Sequence, residues 1–203
     1  MDIIGNLLGT EGLLKASAGC AGFARELISL LPLASSEGFD IRSLIPNLPL
    51  LAISGSLHPV SVGQIEKAAS SGILLEKISS TKLINSWADT KEAKELVLKV
   101  RTHLKNDKSC IVCTNGGLPR EKADASAGKI ARGLAQFAAS IMEGQGELNV
   151  SIFGGDTLLS LMDMLSLDHL VPLTEIEPGI VLANAEGKGK KDDICYQIRG
   201  LRL

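Results

Sequence analysis

Four short apolar runs, at residues 48–54, 73–78, 110–114 and 149–153, recur along the chain with longer helix-like stretches between them. This alternation constrains the fold more than any other feature. Runs so short and so apolar fit strands buried on both faces. The stretches between them carry a 3.6-residue period. Ala93, Leu96, Val97, Val100 and Leu104 share one face of a helix over 89–105. Ile130, Leu134, Phe137 and Ile141 share one face of a helix over 124–142. Ser61 opens an earlier helix, with Gln64 at capping-box spacing. A shorter helix is expected over 157–165.

Strands joined in series by helices require right-handed crossovers and a parallel sheet with helices on both faces. The end of the chain differs. Residues 171–176, 180–183 and 194–198 read as three short strands, with the charged 186–193 stretch as a hairpin tip. The expected fold is therefore α/β: a three-layer α/β/α core over 48–203, with a largely parallel central sheet and a short C-terminal run of antiparallel strands. Residues 1–47 read as a helix over 13–31 and a turn-rich linker, and the 203 residues as one domain.

Composition removes several function classes. Hydrophobic residues are 45% of the chain and charged residues 22%, which excludes disorder for its bulk. A net charge of −2 and an aromatic content of 3% argue against a nucleic-acid partner, which wants a basic surface and stacking rings. No apolar run approaches the roughly 18–20 residues of a membrane helix, and the N-terminus carries no signal-peptide pattern. A cytoplasmic protein with no membrane partner is expected. Cys110 and Cys113 form a C-x-x-C inside the 110–114 run, and no second Cys/His pair stands at zinc spacing. Both thiols read as small buried hydrophobes.

In an open parallel sheet, ligands bind beyond the carboxyl ends of the strands. Two strand–helix junctions there carry unusual residues. At Gly154-Gly155-Asp156-Thr157, paired glycines allow close backbone approach and positive φ. The helix N-terminus favours an anion. Asp156 or Thr157 could cap the helix, or meet a phosphate, a ribose hydroxyl or hydrated Mg²⁺. The same residues also suit a plain tight turn. At Ser54-Gly55-Ser56-Leu57-His58-Pro59, Ser56 and the Gly55 backbone could hold a phosphate or hydroxyl. His58 is a second candidate contact there, or a turn histidine. Gly116-Gly117 and Gly179 could each approach a ligand or only turn the chain. P-loop, dinucleotide-fingerprint, zincin and nucleophile-elbow motifs are absent.

Four stretches, in this order, resemble the C-terminal nucleotide-binding domain of the four-carbon acid sugar kinase family, the 3-oxo-tetronate, threonate and erythronate kinases. They are Ser17-Ala18-Gly19; Ala52-Ile53-Ser54-Gly55-Ser56 with Pro59, Val60, Ser61 and Gln64-Ile65; Gly154-Gly155-Asp156-Thr157; and Glu175-Ile176-Glu177-Pro178-Gly179. The resemblance implies ATP with Mg²⁺, contacted at Ser56, Gly154, Gly155, Asp156, Thr157 and Gly179. It also implies a separate domain that binds the sugar acid and supplies the base through an Asp-Asp-x-Thr-Gly motif, which this sequence lacks. Catalytic residues are therefore not assignable here. Leu57-His58 replaces a pair that is usually small and polar in the family, and the family's closing glycine-rich segment is not evident in 198–203. The expectation is an ATP-binding half-enzyme, inactive without a substrate domain or an oligomeric partner. The alternative is a non-catalytic nucleotide-sensing or protein-interaction domain of the same descent.

Overall fold

The computed structural model describes residues 47–85, 87–114, 122, 125–177, 180–187 and 196–199. Strand β1 is Leu50–Ser54, β2 Leu74–Ile78, β3 Cys110–Thr114 and β4 Asn149–Phe153. They pair in parallel in the order β2-β3-β1-β4, with Ile53 level with Val112 on one side and Ile152 on the other. The expected N-terminal helix, the Ser17-Ala18-Gly19 segment, Gly116-Gly117 and Gly179 lie outside the described residues.

Two-residue alternation divides each strand between two cores. Leu51, Ile53, Val112, Val150 and Ile152 face the larger one. There they meet Val100 and Leu104 of helix α3 (Lys91–Lys105), Leu134, Phe137 and Ile141 of α4 (Ala127–Met142), and Leu158 and Leu161 of α5 (Gly155–Leu165). Ala52, Ile111 and Cys113 face the other way, onto Ile65 of α1 (Pro59–Ser70). Cys110 thus belongs to one core and Cys113 to the other, and three residues along a strand put their side chains on opposite faces. Both are free thiols.

Several helix starts differ from expectation. Helix α1 begins at Pro59, and Ser61 lies within it. Its N-cap is His58, whose Nδ1 accepts from the Val60 N–H at 3.3 Å. Proline's fixed φ is pre-set for the first helical position, and this moves the start upstream of Ser61. Helix α3 starts at Lys91 because Thr90 caps it, accepting from the Ala93 N–H at 3.2 Å. Before it come α2 (Ser80–Leu83) and a 3₁₀ turn (Trp87–Asp89), neither expected. Trp87 anchors the turn, 5.3 Å from the Phe137 ring and donating to Glu92 at 3.0 Å.

At the C-terminal side, β5 (His169–Glu177) and β6 (Ile180–Glu186) are antiparallel. Strand β7 (Tyr196–Arg199) is antiparallel to β6 and parallel to β4, so it joins both parts into one seven-stranded sheet. Pro172 falls in β5, an edge strand, where a missing N–H is tolerated. No helix among the described residues is long and apolar enough to cross a membrane.

Candidate functional site

The strand order creates a crevice. After β1 the chain crosses to α1 on the smaller core's face; after β3 and β4 it crosses to α4 and α5 on the opposite face. Strand β1 lies between β3 and β4, so its outgoing loop parts from both neighbours at their carboxyl ends. This is the switch point where open α/β sheets bind ligands.

A cavity of about 250 Å³ occupies that place. Each of the strands β1 to β4 leads into its wall. Ser80 comes from the start of α2 just after β2, Thr114 from the end of β3, and Gly55 and Leu57 from the loop after β1. Gly154, Gly155, Asp156 and Thr157 follow β4, and Ala127, Ile130 and Ala131 of α4 supply an apolar wall.

The geometry at Gly154 favours an anion. It takes φ 119°, a left-handed value open to glycine, and is the N-cap of α5. A glycine has no side chain to cap with, and neither Asp156 nor Thr157 caps the helix as expected. The first intrahelical bond of α5 is Leu158 N–H to the Gly154 carbonyl, 3.0 Å. The N–H groups of Gly155, Asp156 and Thr157 thus have no acceptor within the helix. The N-cap of α4, Ser126, also makes no side-chain cap bond, and Ala127 beside it lines the cavity. Two helix N-termini, each bringing a partial positive charge, converge on one space.

The loop after β1 is held close. Gly55 N–H donates to the Phe153 carbonyl at 3.0 Å, and Thr157 is buried beneath it. Asp156 is exposed in the first turn of α5 and is the one ionisable side chain among the described residues of the wall. No group of three or more His, Cys, Asp or Glu able to hold a metal occurs among the described residues.

The candidate residues therefore separate. Gly154, Gly155, Asp156 and Thr157 come together on the cavity. Ser56 and His58 do not line it. Ser56 Oγ accepts from the His58 N–H at 3.2 Å, and His58 is engaged as the α1 cap. Sequence reasoning missed Ser80, Thr114 and the α4 wall. The signal for Ser80 was present in Ser79-Ser80-Thr81, a polar cluster placed directly after an apolar run.

A second cavity, about 160 Å³, lies between α1 and the sheet; its wall is mainly apolar, with Leu50, Ile65, Ile73 and Phe153, and Ser54, Gln64 and Ser151 also line it. Among the described residues, no acidic or basic side chain lines it to meet a charged ligand.

No curated protein matches the chain. Among solved structures, it is similar to a domain of unknown function, DUF1537, from Bordetella bronchiseptica, a domain-swapped dimer with bound citrate: 18% identity, TM-score 0.58, covering 74% of this chain and 36% of that one. A Haemophilus influenzae protein assigned to DUF1537 matches at 17% and 0.56, over 74% and 37% of the two chains. A Salmonella typhimurium protein described as a putative tRNA synthase matches at 16% and 0.55, over 76% and 38%. These likenesses concern the fold, and the chain spans little more than a third of each structure's length. The model of the nucleotide-binding C-terminal domain matches residues 51–199, from β1 to the end of β7, taking in the whole crevice. A match over that much of the chain settles its descent: it belongs to the family of nucleotide-binding C-terminal domains.

Proposed function

We propose that the chain binds ATP in the crevice at the carboxyl ends of β2, β3, β1 and β4, as the nucleotide half of a kinase acting on a small sugar acid. The observation that carries this reading is the uncapped start of α5, whose first three N–H groups have no helical acceptor and belong to residues that line the cavity. They donate to phosphate oxygens. Gly155 leaves room for the phosphate, since nothing lies within 4 Å of where its Cβ would stand. Magnesium typically binds through one or two carboxylates, phosphate oxygens and water. Asp156 on the wall suits that donor set and would hold the ion. When bound, magnesium neutralises charge on the phosphates.

Phosphoryl transfer depends on positioning and charge neutralisation more than on covalent chemistry by the protein. The acceptor hydroxyl and its base come, on this reading, from a second domain or subunit that closes over the cavity. Leu57 on the cavity wall and Val60 three residues along the chain, 49% and 43% exposed, supply apolar surface for that closure.

Calorimetric titration with Mg·ATP and Mg·ADP tests the reading. Binding in the micromolar-to-millimolar range is expected, lost on combining Asp156→Ala with Thr157→Ala. No binding at millimolar nucleotide overturns it and favours a protein-interaction role. Binding without phosphoryl transfer, in the presence of a matched substrate domain, favours a nucleotide sensor.

A further inference from the structure

We propose that the hydroxyls of Ser80 and Thr114 form a neutral polar subsite that reads the nucleoside end of the ligand, opposite the phosphate end at α5. The proposal rests on the nucleotide reading above and assigns direction to it.

Both side chains are buried, both line the cavity, and their hydroxyl oxygens lie 2.7 Å apart. One of them donates to the other, which fixes two oxygens side by side on the wall. Ser80 is the first residue of α2, and α2 is held against α4 at Gly133. A Cβ on Gly133 would overlap the Leu83 carbonyl, so the two helices touch through backbone. The pair is therefore carried on rigid elements rather than on a loop.

Its position sets what it can reach. Along the sheet, Ser80 follows β2 and Thr114 ends β3, whereas Gly154 follows β4, two to three strands away. At the usual spacing of neighbouring strands this is about 10–14 Å. A single phosphate does not span that distance; a ligand with a long neutral portion does. The chemistry agrees with the distance. The pair brings no cation and no helix N-terminus of useful length, and the wall it belongs to also carries the apolar Ile130 and Ala131. The pair itself offers an anion no charge, while a sugar hydroxyl or an amino group on a base edge finds acceptor lone pairs on two fixed oxygens. A site built to hydrogen-bond such a group discriminates against ligands that lack it.

The test compares ATP with inorganic tripolyphosphate, each with Mg²⁺, by calorimetry on the full chain and on Ser80→Ala, Thr114→Val and Thr114→Ser. Melting curves establish that each variant is folded. Ser80→Ala and Thr114→Val are expected to weaken ATP about tenfold, the worth of one hydrogen bond, and to change tripolyphosphate less than twofold. Thr114→Ser, which keeps the hydroxyl, is expected to bind ATP as the parent does. If Thr114→Val does not fold, Ser80→Ala and Thr114→Ser still decide the matter. Equal weakening of both ligands places the pair at the phosphates and overturns the proposal. So does unchanged binding of both. A parent chain that binds neither ligand removes the nucleotide reading itself, a failure distinct from the other two.

Discussion

A Cβ placed on Gly55 falls 2.5 Å from Oγ1 of Thr157, closer than real Cβ atoms come to another heavy atom. The loop after β1 and the first turn of α5 are thus fitted to each other across the crevice. The next neighbours of that Cβ, Leu134 Cδ2 and Thr157 Cβ, are at 3.7 Å, ordinary contact. Gly55→Ala is therefore expected to cost about 1–3 kcal/mol, the usual penalty of overpacking, and to weaken nucleotide binding. Removing the offending oxygen relieves the clash. The double variant with Thr157→Ala is expected to be less destabilised than the sum of the two single changes. A double-mutant cycle by urea denaturation measures that coupling; strict additivity contradicts the fitted contact.

Gly154 and Gly155 are expected to behave oppositely. Gly154 has φ 119°, so Gly154→Ala strains the backbone whatever space is available, at roughly 1–3 kcal/mol. Gly155 is helical, and a Cβ there meets nothing within 4 Å. Gly155→Ala is expected to leave stability unchanged or to raise it slightly, because alanine is the better helix former. The added methyl projects where a phosphate would lie, and ATP affinity falls. Thermal melting and calorimetry on the two variants separate the roles. A stable Gly155→Ala protein with undiminished affinity moves the phosphate away from this turn.

These pairings show where sequence reasoning reached and where it stopped. The strands and the inward faces of α3 and α4 were legible because burial imposes a period on side chains close together in the chain. Gly154 to Thr157 stood out because a glycine pair after a buried run marks a tight strand–helix junction, and that is the place the structure gives it. The Gly55–Thr157 fit spans about a hundred residues and depends on β1 lying next to β4, which no local pattern encodes. The same holds for Ser80 and Thr114, brought within 2.7 Å by the pairing of β2 with β3. At Pro59, two local signals competed. The proline fixed the start, and the Ser61/Gln64 spacing had no cap to form.

Cys110 links stability to alkaline pH. Its thiol is pushed up to about 12, chiefly by burial, with the Glu76 carboxylate adding to the effect and Lys99 opposing it. Burial also raises Cys113. In the unfolded chain a thiol ionises near 9.0. Below that pH both states hold the proton and the contribution is complete. Above it only the unfolded chain loses the proton, so stability falls as pH rises from about 9 to about 12. Cys110→Ala is expected to flatten this fall in denaturation curves taken across that range. Equal slopes for parent and variant contradict it. Because the two thiols lie in opposite cores, iodoacetamide at pH 8 is expected to leave both unmodified until the chain is unfolded, as peptide mass spectrometry would show.

Arg101 fastens the end of α4 farthest from the cavity. Its guanidinium donates to the carbonyls of Ser140 at 2.5 Å and Ile141 at 3.2 Å, and also to that of Glu143. These are among the last carbonyls of the helix, which lack partners of their own. The Glu143 carboxylate is 4.0 Å away and highly exposed, a geometry worth little in water. The backbone bonds therefore dominate. Arg101→Met is expected to cost about 1–3 kcal/mol, whereas Glu143→Gln should be nearly silent. Arg101→Lys should recover only part of the loss, because a single ammonium nitrogen lacks the spread, planar donors that reach these carbonyls from Nε and Nη2. Since the N-terminal turn of α4 lines the cavity and its C-terminal turn does not, ATP affinity should hold while the melting temperature drops. A variant that lost both together would mean that the position of α4, and with it the apolar wall of the crevice, depends on this one side chain.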